Sequence, residues 1–154
     1  MAGDASNVHP TGAIVVGGKN KTVSTKKIET VANVYPGRLL MKGTNDDDVV
    51  VCDGSTAAPC GWAEYLDTTK KYRPATIATI YVVNDLIAQI NGPGMRLMAK
   101  LGDSAVVTVG MLLTSAAAGC LTPATAGTHD VVAQALEAVT TTTSVADILV
   151  ESRI

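Results

Sequence analysis

The residues best equipped for chemistry are the carboxylate run Asp46-Asp47-Asp48, the cysteines Cys52, Cys60 and Cys120, and the His129-Asp130 pair. Spacing decides what each can do. A calcium loop takes ligands at alternating positions and closes on a glutamate. The aspartate run has neither, so it reads as a solvated turn. Zinc sites pair cysteines roughly two to four residues apart, or place them near histidines. Cys52 and Cys60 lie further apart, and neither His9 nor His129 has a cysteine close in sequence. The three thiols read as small buried hydrophobes, with a Cys52–Cys60 bridge across a turn as the alternative. Nucleophilic catalysis needs a nucleophile, a base and a group that orients the base. Two histidines, one near the N-terminus and one in a Gly-Thr-His-Asp turn, do not supply that set. Gly17-Gly18-Lys19 is too short a match to a phosphate-binding loop. Carboxylates could still meet in space, as in a glycosidase, but such clefts carry aromatic platforms and this chain has one Trp and four Tyr. The expectation is a protein that is not an enzyme, with no cofactor and no metal.

The elements that hold these residues must be built from an unusual composition. The 154 residues fit a single domain with a usable core. Hydrophobic residues make up 47% of the chain, aromatics only 3%, and Phe is absent, so Val, Ile, Leu, Ala and Met must fill the interior. Burial per residue is then modest, and association with copies or with a host surface is a common remedy. Net charge is -2, which argues against nucleic acid as a partner, since that would leave a basic footprint. Charged residues, at 17%, fall below the roughly 25% of an average soluble domain. No apolar run approaches the roughly 20 residues of a membrane span, and no basic-then-apolar leader is visible at the start. The chain reads as soluble and made in a cytoplasm, with no membrane partner.

Strand signals dominate from residue 31 onward. Leu39 to Lys42 and Val49 to Cys52 are short apolar strands around a Gly-Thr-Asn-Asp turn. Ile77 to Val83 is β-branched and reads as a strand, as does Leu86 to Ile90, which the Asn91-Gly92-Pro93-Gly94 turn stops. Met95 to Leu101 alternates, with Met95, Leu97, Ala99 and Leu101 on one face and Arg96 and Lys100 on the other. Val106 to Val109, Met111 to Thr114, Cys120 to Pro123 and Ala146 to Ser152 follow. Val131 to Val139 carries both helical spacing and a β context, and is assigned to strand. The whole reads as all-β, a small barrel or sandwich, with Trp62, Leu97, Leu112, Leu136 and Leu149 in the core. Residues 1–28 read as a flexible or extended N-terminal arm, basic at Lys19, Lys21, Lys26 and Lys27, and residues 29–154 as the domain.

The chain carries, in order, Thr25-Lys26-Lys27-Ile28, the Asn33-Val34-Tyr35-Pro36-Gly37-Arg38 turn, Val49-Val50-Val51, Gly61-Trp62, Gly92-Pro93-Gly94 with its alternating strand, Val109 to Thr114, Gly119-Cys120-Leu121 and Val132 to Val139. In that order these segments resemble the capsid cement, or head decoration, proteins of tailed bacteriophages and related viruses. The likeness runs over residues 25–154; the three cysteines follow no pattern within it, and residues 1–24 lie outside it.

That resemblance implies a β-barrel or β-tulip-like structural protein on the outer surface of the mature icosahedral capsid. It would sit as a homotrimer and cement neighbouring copies of the major capsid protein. It also implies an arm laid along the shell, here Ile14, Val15, Val16, Lys26, Lys27 and Ile28, bound through main-chain hydrogen bonds. The competing readings are a fibre, tail or spike subunit and a carbohydrate-binding surface module. A small hydrolase using Asp or Glu is the remaining alternative.

Overall fold

A computed structural model describes residues 14–18, 21–30, 34–54, 58–64, 80 and 86–154. Thirteen strands lie among them. In chain order they are β1 (Val15–Gly18), β2 (Thr22–Ile28), β3 (Leu39–Lys42), β4 (Asp48–Val51), β5 (Gly61–Glu64) and β6 (Leu86–Asn91), then β7 (Met95–Leu101), β8 (Val106–Val107), β9 (Leu112–Ser115) and β10 (Leu121–Pro123), and finally β11 (Ala133–Ala135), β12 (Val139–Thr140) and β13 (Ala146–Ser152). The fold is all-β, as the strand spacing implies. The expected strand at Ile77 to Val83 lies outside the described residues, apart from Ile80.

Five strands close a small barrel in the order β2-β4-β3-β5-β6. Its pairings are antiparallel except β2 with β4, which run parallel. The interior is lined by Ile28, Val34, Leu40, Val49, Ala63 and Ile87. These are small and medium side chains, as a five-stranded circuit requires.

The remaining long strands form a second sheet in the order β1-β7-β10-β9-β11-β13, and β13 also pairs with β7. The second sheet therefore runs round into a ring as well, with β1 added on the free edge of β7. Alternation sets its inner face. Met95, Leu97, Ala99 and Leu101 of β7 point inward, as do Ile148 and Val150 of β13, with Leu113, Leu121, Ala133 and Ala135 from the other strands.

The two bodies are joined by the reverse faces of the barrel strands. Leu39, Trp62, Ala88 and Ile90 point away from the barrel interior into the larger core. Trp62 is fully buried, and its indole Nε1 donates to Ser152 Oγ on β13 at 3.1 Å. A buried indole N–H needs such a partner, so this bond fixes β5 to β13.

The turn before β3 closes the seam. Gly37 has φ 84, and a Cβ there would stand 2.5 Å from the Met98 carbonyl oxygen of β7. Lys100 N–H of β7 in turn donates to Gly37 O at 3.2 Å. On the other side Arg38, only 8% exposed, donates from Nη1 to Ala118 O at 2.8 Å and lies over the Tyr35 ring. The 3-10 turn Ala117–Gly119 is thereby pinned against the start of β3.

Three expectations are corrected. The described part of the expected arm, β1 and β2, is not an arm: β1 is paired with β7 and β2 is a wall of the barrel, so no structural boundary falls at residue 28; residues 1–13 and 19–20 lie outside the described residues. The segment looked like an arm because only one face of β2 is covered. Leu112 is 42% exposed rather than core. Register decides this, because Leu113 pairs with Ala133 on the inner face and Leu112 with Gln134 on the outer one. Leu136 and Leu149 are half-buried. Leu149 lies opposite Met98 on the outer face of β13, while Ile148 and Val150 take the interior. The ambiguous segment resolves into the short strand β11, a bend at Leu136-Glu137, and β12.

Replacing Trp62 by Ala removes the side chain that fills the seam and the indole donor to Ser152 Oγ. We expect a loss of about 3–5 kcal/mol in denaturant unfolding; a change within about 0.5 kcal/mol is what surface sites give and would contradict this packing. Deleting residues 1–28 opens the barrel at β2, so the truncated chain should lose cooperative thermal unfolding. A truncated chain that still melts cooperatively at the full-length temperature would show the barrel closes without β2.

Candidate functional site

The residues expected to contact a partner are spread over two sheets. Ile14 and Ile28 are fully buried, and Val15 is half-buried against the larger core. Ile14 and Ile28 cannot touch a partner while the domain is folded, which corrects that part of the expected contact set. Val16 and Lys27 are exposed. Lys26 is half-buried and donates from Nζ to Asp46 O at 2.7 Å.

Glu64 holds this segment in place. It is 3% exposed at the end of β5, on the same face as Trp62. Its Oε1 accepts the Ile14 N–H at 3.1 Å and stands 3.5 Å from the Val15 nitrogen, while Oε2 pairs with Lys21 Nζ at 2.9 Å. One carboxylate thus grips both ends of the β1 segment. A buried charge so supplied with donors is stable where an unpaired one would not be. The sequence carried a signal for it: an acid on the tryptophan side of a strand whose other residues are apolar.

The mouth of the small barrel is a cavity of ≈ 240 Å³. Lys26, Lys42, Asp46 and Asp48 rim it, with Cys60 and Gln89 in its wall. The rim is internally satisfied. Lys42 Nζ meets Asp46 Oδ1 at 2.6 Å, Asn45 Nδ2 donates to Asp48 Oδ2 at 2.6 Å, and Gln89 Nε2 donates to Cys60 O at 2.7 Å. The hydrogen bond from Lys42 and its charge hold the Asp46 carboxyl below its ordinary range, and Asp46 raises Lys42. Asp48 is buried as the first residue of β4 rather than solvated in the turn. Among the described residues no three of His, Cys, Asp and Glu gather as a metal-ligand set.

The cysteines are free. Burial pushes all three thiols above their ordinary pKa. Cys52 Sγ and Ser115 Oγ are hydrogen-bonded at 3.2 Å, and Cys60 Sγ donates to Leu40 O at 3.4 Å. Raised thiols are poor nucleophiles. His129 Nδ1 accepts the Thr125 N–H at 3.2 Å and so clasps its own turn.

No protein-family model matches the chain, and no curated protein matches it. Among solved structures, the N base of head fiber gp8.5 of bacteriophage phi29 aligns with a TM-score of 0.51 at 18% identity. The match spans 87% of this chain and 98% of that one. The two share a fold. At that identity the likeness to the phi29 head fiber base is one of architecture, and it covers nearly the whole of that structure.

Two outcomes test this geometry. In Glu64→Ala the Ile14 N–H loses its acceptor, so stability should fall by about 1–3 kcal/mol, with faster hydrogen exchange at Ile14 and Val15. Unchanged exchange there would mean the carboxylate does not hold the segment. Under native conditions near neutral pH, half-buried Cys60 should be alkylated before Cys52 and Cys120, which should react only on unfolding. Equal reactivity of all three, read by mass spectrometry, would contradict the burial described.

Proposed function

We propose that the chain is a structural protein of a phage virion that binds the outer surface of the mature head. The observation that carries this reading is the fold shared with the phi29 head fiber base over 87% of the chain. The ordered segments that resemble capsid cement proteins add to it. Site chemistry is consistent with a non-enzymatic role: Cys52 and Cys120 are buried, the one described histidine clasps a turn, and Glu64, Asp46 and Asp48 are engaged with Lys21, Lys42 and Asn45.

In the finer form of this reading the chain is a cement. Copies grouped in threes bridge neighbouring major capsid subunits, and many weak contacts acting together stabilise the shell. The rigid double body docks as a unit, since residues 14–28 are committed to its own sheets. Val16 and Lys27 are the members of the expected contact set that remain outward. The second reading, a fibre base that attaches without cementing, is favoured by the likeness to a structure that is itself a head fiber base.

Co-sedimentation separates these. Purified protein is mixed with expanded heads stripped of accessory proteins, and with unexpanded shells. Saturable binding to expanded heads that raises their thermal resistance is the result a cement gives. Saturable binding with unchanged resistance would select the fibre base, and no binding to either shell would overturn the head-surface reading.

A further inference from the structure

The small barrel is closed unevenly. Strand β2 pairs with β6 over six residue positions, Thr22 to Lys27, but with β4 over only two, Lys27 with Asp48 and Ile28 with Val49. The bonds on the β4 side come from alternate residues: Lys27 N–H donates to Asp47 O at 2.8 Å and Glu29 N–H to Val49 O at 3.1 Å. The two preceding residues of that row, Thr25 and Val23, turn their N–H and C=O the same way, since backbone groups alternate between the two edges of a strand. Among the described residues no strand pairs with them on that side. Two donors and two acceptors are thus left in line beyond the end of β4. Val23 is 53% exposed, and Thr25 is exposed as well. Native edges are guarded by Lys, Pro or a bulge, and Thr22 to Thr25 carry none of these over an unbroken register.

The cavity at the barrel mouth lies on the inward side of the same segment. Lys26 lines it, two residues before the inward Ile28, and Gln89 of β6, which also lines it, is paired with Ser24. A strand added along Thr25 and Val23 sends alternate side chains toward this mouth. Charges of both signs surround it and are engaged locally. Lys21 pairs with Glu64 and Lys42 with Asp46, Lys26 donates to Asp46 O, Asn45 donates to Asp48, and Thr44 donates to Glu29. Lys27 and Asp47 add one exposed charge of each sign.

We infer that the free edge of β2 at Val23 and Thr25 takes up an extended segment of the head-surface protein as an added strand, with an uncharged side chain of that segment entering the barrel mouth. The occupant follows from the chemistry of the edge. Donors and acceptors set in one row are matched by an extended backbone, which supplies the complementary row. The ladder begun by Lys27 and Glu29 fixes the line that the segment continues. A charged side chain in the mouth would lose hydration and find the counter-charges already engaged, so an uncharged one fits. The inference rests on the head-binding reading above and names the contact through which that binding acts.

Co-sedimentation of variants with expanded heads tests it. Thr25→Pro removes one edge N–H and none that the barrel uses, and the residue before a proline is at ease in a strand. The variant should keep its melting temperature and bind about tenfold or more weaker. Thr25→Ala keeps that N–H and should bind as wild type does; a loss equal to that of Thr25→Pro would place the contact in the side chain and overturn the added strand. On heads, alkylation of Cys60 in the cavity wall should slow. Thr25→Pro bound as tightly as wild type, or Cys60 labelled as fast on heads as off them, would overturn the inference and leave head binding in place. A wild-type chain that binds no head overturns the head-surface reading, and this partner with it. Should Thr25→Pro melt at a lower temperature, hydrogen exchange of the wild-type chain on heads decides. Protection gained at Val23 and Thr25 supports the added strand, and unchanged exchange there overturns it.

Discussion

Strand β5 has no solvent face, and the rest of the molecule is arranged around that constraint. Gly61 and Ala63 look into the small barrel, while Trp62 and Glu64 look into the larger body, and all four are buried. A chain with 3% aromatics and no Phe has few side chains large enough to fill a seam between two sheets. Its single tryptophan is placed there, with its one polar atom bonded to Ser152. The neighbouring carboxylate on the same side recruits the N-terminal segment through Ile14 and Lys21. One four-residue strand therefore couples barrel, larger sheet and β1 into one packed body.

The second clamp follows from the first. Once β3 lies beside β5, the turn leading into it must pass close to β7, and only a residue without a Cβ fits beneath the Met98 carbonyl at Gly37. Gly119 meets the same limit on the other side, where a Cβ would stand 2.7 Å from Leu39 O. Arg38 fills the space between and bonds the Ala118 carbonyl. Close backbone approach at glycine, rather than further apolar bulk, closes the junction.

Legibility in the sequence followed the range of the interaction. Met95 to Leu101 and Ala146 to Ser152 were readable because alternation is local and each strand buries one face. Leu39 to Lys42 was readable from its flanking turns. Which face is buried was not always readable: Met111-Leu112-Leu113 is a continuous apolar run, and only the pairing of Leu113 with Ala133 turns Leu112 outward. The membership of β2 in the barrel was hidden for a related reason. Its Thr, Ser and Lys residues give weak alternation, and its partners are β6, far along the chain, and β4 in parallel. Glu64 carries only a local signal, an acid on the tryptophan side of an apolar strand, and its role depends on the distant backbone it meets at Ile14.

The packed double body keeps many of its described polar groups engaged internally, Glu64, Arg38 and Lys100 among them. Val16 and Lys27 face outward, while the charges of the barrel rim are paired among themselves. The account turns on the claim that this body sits on a phage head from the outside. Cryo-electron microscopy of expanded heads incubated with the purified chain tests that claim most directly. The account predicts added density at regularly repeated sites on the outer surface, into which barrel and larger sheet fit together as one unit. Heads that remain bare at saturating protein, or density confined to the inner surface, would contradict it.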